Sequence, residues 1–241
     1  MRFIPYDRIQ LLRSLTEGRA ERLYLIFMAL YLKKELDNDA TIYVWHITES
    51  EQELRENNQI PDDELEELTF IPSESRRKER LATRALLNTI FDDEKVYLGH
   101  HDNGRPYLQN LATEISISHT KEFVAIILHP DEDQGIDIES LDRDFSAVEK
   151  KALSEDEIED LSDKNRTLQL AIYWCAKEAI YKRMSLSGVD FAEQIEIERF
   201  NPHDEGELEA TFFHKDGSEV EFELGYMVFD NHAMVWVVNA D

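Results

Sequence analysis

The sequence predicts an α+β protein built in two halves, on three observations. Strand-like and helix-like stretches alternate along most of the chain, a polar acidic connection at residues 130–134 interrupts that alternation, and a strand-rich tail runs from 193 to 239. At 241 residues the chain is long enough for one domain, or two small packed halves, with a substantial core. Hydrophobic residues at 42% and charged residues at 32% belong to a folded rather than a disordered chain.

The first 27 residues differ from the rest, with five Arg against Asp7, Glu17 and Glu21. Two readings stand for them: an amphipathic leader helix, or a stretch upstream of a working protein that starts at Met28. Residues 23–32 form the longest apolar run, which is too short to span a bilayer. It ends in Lys33-Lys34-Glu35 without a small-residue cleavage site, so the expectation is a cytoplasmic protein with no membrane segment. Residues 40–47 (ATIYVWHI) are β-branched and aromatic and read as a strand. Acidic helices follow at 50–57 and 62–69, the second opened by Pro61. A stronger helix covers 73–91, with Ser73 as N-cap and Leu81, Ala85, Leu87 and Ile90 in its apolar stripe. Asn103-Gly104 marks a turn, and 114–120 with 122–129 read as a hairpin. Beyond the acidic connection, 135–139 is a short strand, and helices are predicted at 145–153, 154–161 and 166–184, the last broken by Gly188. Turns at Asn201-Pro202, Asp216-Gly217 and Asp230-Asn231 divide the tail into strands, and no internal repeat is detectable.

Charge and composition exclude several functions. With 52 Asp+Glu against 26 Lys+Arg the net charge is -26, which repels nucleic-acid backbones at long range. The single cysteine, Cys175, excludes an intrachain disulfide; it has no evident base partner and reads as a small buried hydrophobe. Eight glycines without phosphate-loop or dinucleotide spacing leave cationic side chains and a metal as the means of holding a nucleotide. The eight scattered histidines offer no zinc site.

Four constellations carry candidate chemistry. Asp137-Ile138-Glu139 lies on a predicted strand, so both carboxylates share one face and Ile138 takes the other. Such a pair suits Mg²⁺, although acids are common enough in this chain for the spacing to arise by chance. On the 166–184 helix, Trp174, Glu178 and Lys182 stand at i, i+4 and i+8, a carboxylate one turn from an ammonium; an ordinary surface pair has the same pattern. Ser118 and His119, adjacent on a strand, point apart, which argues against a nucleophile–base pair and leaves His119 as a phosphate donor or a structural histidine. Arg76, Arg77, Lys78, Arg80 and Arg84 make a basic helix suited to phosphate contacts or to pairing with Glu74 and Glu79, and Arg105 sits on the Gly104-Arg105-Pro106 turn.

In order, the Arg-rich helix, Gly104-Arg105-Pro106, Ile117-Ser118-His119, Gly135-Ile136-Asp137-Ile138-Glu139 and Trp174-x-x-Lys177-Glu178-Ala179-x-x-Lys182 resemble the signature blocks of the 4′-phosphopantetheinyl transferase superfamily. The GIDIE and WxxKEAxxK segments are the most diagnostic, and Asp137 and Glu178 stand 41 residues apart. The resemblance covers roughly residues 40 to 225 and is to the two-halved, monomeric surfactin-synthetase-activator type. It implies two similar α+β halves packed as a pseudo-dimer, at 28–132 and 133–241 after an extension at 1–27, and favours Met28 as the start.

The reaction it implies moves 4′-phosphopantetheine from coenzyme A to a serine of an apo acyl or peptidyl carrier protein, as in fatty acid or secondary metabolite biosynthesis, leaving adenosine 3′,5′-bisphosphate. By position, Asp137, Glu139 and Glu178 would hold Mg²⁺ and Lys182 and His119 would contact the phosphates, with Ser118 beside them. Lys177 would add charge, Trp174 would wall the site, and Arg105, Arg77 and Arg84 would bind the far end of coenzyme A. Glu178 is the leading candidate for the base that accepts the serine proton, with Glu139 as the alternative. Carrier proteins are acidic, so docking onto this chain implies a local basic or apolar strip, for which Arg183 and Met184 are placed. A non-catalytic relative that binds coenzyme A or a partner is the competing reading, and an acidic interaction module with chance motifs is a third.

Overall fold

The computed structural model describes residues 29–92 and 94–240. The proposed extension at 1–27 and the Met28 start lie outside them. Strands β1 (Leu30–Glu35) and β2 (Thr41–His46) lead into helices α1 (Glu51–Asn57), α2 (Asp62–Thr69) and α3 (Glu74–Ile90). A small hairpin, β3 (Leu98–His100) and β4 (Pro106–Leu108), precedes β5 (Glu114–His119) and β6 (Phe123–His129). After β7 (Ile136–Ser140) come helices α4 (Ser146–Lys151), α5 (Glu155–Glu159), α6 (Arg166–Met184) and the single turn α7 (Phe191–Gln194). Strands β8 (Ile195–Ile197), β9 (Glu205–Phe213), β10 (Glu219–Phe229) and β11 (His232–Ala240) complete the described chain.

These elements form two antiparallel sheets, ordered β1-β2-β6-β5 and β7-β11-β10-β9-β8. The α+β class expected from the sequence is therefore present. In each sheet the last strand in sequence lies beside the strand that precedes the helices, β6 on β2 and β11 on β7; β1 adds an edge to the first sheet that the second does not have.

Strand alternation sets the layers. On β2 and β6, Trp45, Val124, Ile126 and Leu128 point to α3, where they meet Leu81, Ala82, Ala85, Leu86 and Leu87. Their alternates, Ile42, Val44, Phe123, Ala125 and Ile127, point the other way and pack on Ile136, Ile138, Met234 and Trp236 of the second sheet. The opposite face of that sheet, including Ala233, Val235 and Val237, packs on Ile172, Cys175, Ala176 and Ala179 of α6. The order of layers is helix, sheet, sheet, helix. β6 is buried on both faces, which explains its unbroken apolar sequence FVAIILH. A fully buried Leu or Ile contributes about 2 kcal/mol, so these three cores hold the sheets and helices in place.

Helix starts follow the local chemistry. The Ser73 hydroxyl accepts from the Arg76 amide at α3, and Ser50 and Ser154 form capping boxes with Glu53 and Glu157. Two features depart from the sequence reading. β1 is an edge strand whose LYLKKE sequence carries little alternation, and β3 and β4 are too short to show a period. α6 spans the expected 166–184, and Ser185 in the left-handed conformation (φ 53°), rather than Gly188, caps it; Ser185 Oγ donates to the Lys182 carbonyl and its amide to that of Tyr181.

Candidate active site

The edges β5 and β7 of the two sheets meet through side chains. Ser116 Oγ accepts from the Ile136 amide and Ser118 Oγ from the Ile138 amide, each at 3.3 Å. Ser118 also donates to Asp137 Oδ1 at 2.6 Å. Gly135 makes the approach of α6 to this edge feasible, since a Cβ there would collide with the Ala179 carbonyl. With α6 so close, its Trp174–Glu178–Lys182 face lies over the carboxylates of β7. Lys182 Nζ donates to Asp137 Oδ1 (2.7 Å) and to the Ile136 carbonyl (2.8 Å), and Trp174 Nε1 donates to Glu139 Oε1 (3.1 Å).

The electrostatics leave this cluster short of positive charge. Asp137 is buried and its Oδ2 has no hydrogen-bond partner. Burial, and then the nearby Asp137 charge, push the Glu178 carboxyl up to about 7, against the smaller opposing pull of Lys182 and Arg143. An orphaned buried carboxylate oxygen beside a carboxyl that resists ionising fits a hard divalent cation. Among the described residues no three acidic, His or Cys side chains already close around one point. Glu139 is the reason on the strand side: it is ion-paired with Arg143, which stacks over the Trp174 ring at 5.0 Å. Arg143 and Trp174 both hold Oε1, so Oε2 is the oxygen Glu139 has left for a metal.

Two neighbouring cavities lie near the cluster, the first sharing Lys182 with it. One, about 300 Å³, is lined by Arg105, Ser116, Gln134, Tyr181, Lys182 and Leu186 among others. The second, about 210 Å³, lies under α2 and α3 and is lined by Arg80, Arg84, His100 and His119. Gly104, Pro106 and Ile117 wall both, so the β3–β4 turn, with Gly104 at φ 86°, separates two cation-bearing hollows. The first, with Arg105 and Lys182 and no acid in its wall, suits an anionic group; in the second the cations share the wall with Asp63, Glu64 and Glu67.

The remaining sequence candidates divide clearly. His119 lies at the second cavity, its Nδ1 3.2 Å from the buried Glu79. Arg105 pairs with Glu114 and Asp133 and keeps a face on the first cavity. Arg84 is buried between Glu64 and the Val96 carbonyl at the cavity wall. Arg77 turns away, its guanidinium taken up by Glu51 and the Ile71 and Pro72 carbonyls; Arg80, one turn before Arg84, stands at the cavity, paired with Glu67 at 3.1 Å. Lys177 is fully buried, and its ammonium donates to Glu157 (2.7 Å), the Phe191 carbonyl (2.9 Å) and the Ile195 carbonyl (2.6 Å). All three protons are engaged, so Lys177 ties α6 to α5 and β8 and has none to offer a ligand. Cys175 is buried and its thiol is pushed up chiefly by desolvation, as a core residue requires. Arg183, expected in a docking strip, lies 3.9 Å from Glu132 and Asp133.

Sequence reasoning passed over Arg143 and gave Glu79 only a surface role. Arg143 carried one faint signal, a lone cation four residues after Glu139; Glu79 looked like one more acid of an exposed helix face, and only the packing of β5 on α3 buries it.

Residues 134–237 match the model of the 4′-phosphopantetheinyl transferase superfamily. The match covers less than half of the chain and contains Asp137, Glu139, Glu178 and Lys182, whereas Arg105, Ser118 and His119 precede it. No curated protein matches the chain. Among the described residues no helix is long and apolar enough to cross a membrane.

Proposed function

We propose that this protein is a Mg²⁺-dependent 4′-phosphopantetheinyl transferase that modifies an apo carrier protein, acting as a monomer in which residues 28–132 and 133–241 form a pseudo-dimer. The observation that carries the reading is the convergence, inside the matched span, of Asp137, Glu178 and Lys182 over an orphaned carboxylate oxygen, with His119 and Ser118 brought up from the preceding sheet. The return of the last strand beside the strand that precedes the helices, in both sheets, supports the pseudo-dimer.

In this reading coenzyme A lies along the two cavities, with His119 and Arg80, drawn from its exposed Glu67 pair, at one end and Lys182 and Arg105 at the other; Arg84 backs the wall, its guanidinium held by Glu64 and the Val96 carbonyl. Arg77 and Lys177 are left out, because their polar atoms are held elsewhere. Asp137, Glu178 and Glu139, through the oxygen that Arg143 and Trp174 do not engage, would hold Mg²⁺, which when bound would neutralise charge on the pyrophosphate oxygens. The carrier serine oxygen forms the new bond to the phosphorus that bears the pantetheine arm, and the bond from that phosphorus to the adenosine bisphosphate oxygen breaks. The serine proton passes to Glu178, the carboxylate one turn from Lys182 on the face of α6 that meets β7, with Glu139 as the alternative acceptor. Lys182 neutralises charge on the departing phosphate. Ser118 and Lys182 together fix Asp137, so the site keeps its shape without a ligand.

The test is the intact mass of an apo acyl carrier protein after incubation with the protein, coenzyme A and Mg²⁺. A gain of one phosphopantetheine, abolished by EDTA and by Glu178→Ala, is expected. No gain across several acyl and peptidyl carriers would overturn the transferase reading.

A further inference from the structure

Glu79 is a buried acid outside the Asp137 cluster. It sits in the middle of α3, where an unpaired carboxylate would be costly, and three groups converge on it. Ser75 Oγ donates to Oε1 at 3.0 Å, Arg76 Nη1 donates to Oε2 at 2.8 Å, and His119 Nδ1 lies 3.2 Å from Oε2. At 3.2 Å, in an ion-pair contact, a carboxylate that only accepts favours the ring proton on the nitrogen facing it. Nε2, on the far side of the ring, is then the nitrogen left for the cavity that His119 lines.

We propose that Glu79 is the positioning residue of the site: it holds the His119 ring in the Nδ1–H form and aims Nε2 at the phosphate-binding cavity. The inference rests on the transferase reading for the identity of the phosphate, but the geometry stands on the chain's own residues. Its role in charge is the same in sign. Burial lowers the readiness of His119 to take a second proton, and Arg76 on α3 and Lys182 on α6 lower it further; Glu79 opposes all three. The net balance keeps the free ring neutral; a phosphate anion at Nε2 adds its charge to that of Glu79, and together they favour the imidazolium that a donor to phosphate must be.

The experiment uses the full chain, wild type, Glu79→Gln and Glu79→Ala, with ring-nitrogen NMR of His119 in the absence of ligand and calorimetric titration with adenosine 3′,5′-bisphosphate. Wild type is expected to show His119 protonated on Nδ1 above neutral pH. Both variants are expected to lose that single-tautomer signature and to bind adenosine 3′,5′-bisphosphate about tenfold more weakly. If Glu79→Ala does not fold, Glu79→Gln and the wild-type spectrum decide. Wild-type His119 protonated on Nε2, or a tautomer unchanged in the variants, would overturn the proposal. Failure of wild type to bind the bisphosphate, with the Nδ1–H signature present, would instead count against the transferase reading and leave the positioning role in place.

Discussion

Replacing Glu178 by Gln removes a titrating group whose folded and unfolded states differ. Its carboxyl sits at about 7 in the folded protein against an ordinary value of 4.5, so the folded state holds the proton more tightly. The stability this contributes is fully present below about pH 4.5 and is lost as pH rises through about 7. Integrated between pH 5 and pH 8, the loss is about 2.5 kcal/mol at about 1.36 kcal/mol per pKa unit. Gln does not titrate, so Glu178→Gln should gain about 2.5 kcal/mol relative to wild type over that interval. Groups that do not interact with Glu178 contribute equally to both proteins and cancel; the neighbours coupled to it, chiefly Asp137 and Lys182, do not. Urea unfolding of both at pH 5 and pH 8 in EDTA measures it. Adding Mg²⁺ at pH 8 should then recover stability in wild type and do little for the variant, because a ligand that binds only the folded state stabilises by mass action. Stability curves that run parallel in pH, to within about 0.5 kcal/mol, would refute the idea that burial and Asp137 strain this carboxylate.

Three further outcomes follow from the same geometry. Lys182→Ala leaves Asp137 with only Ser118 and should lower carrier modification about a hundredfold or more, read by intact mass over time, with the folded state retained by circular dichroism. Lys177→Met leaves Glu157 buried without its cation and should cost about 3–5 kcal/mol in urea unfolding; coenzyme A affinity of the molecules still folded should stay within about twofold, since Lys177 faces no cavity. Gly135→Ala drives a methyl into the Ala179 carbonyl, so it should destabilise by about 1–3 kcal/mol and pull Lys182 off Asp137, lowering activity as well as the thermal midpoint.

The sequence by itself determined the elements whose signal is local. Period-two alternation placed Asp137 and Glu139 on one face of β7, and the 3.6-residue repeat placed Trp174 and Lys182 on the face of α6 that meets them. Ser73 and Ser154 marked helix starts through hydrogen bonds made within one turn. Tertiary structure decided what the cations and acids face. Arg77 and Arg80 belong to one basic run, yet the packing of α3 against α1 and α2 turns Arg77 to Glu51 and leaves Arg80 at a cavity. Lys177 and Lys182 lie on one helix in one motif, yet the first is enclosed by α5, α7 and β8 and the second opens onto β7. Glu79 becomes a buried partner of His119 only because β5 is laid against α3 from about forty residues away in the chain. A long charged side chain carries no local preference for its partner; whether it holds a ligand, a neighbour or the fold is fixed by desolvation and by which element is packed across from it.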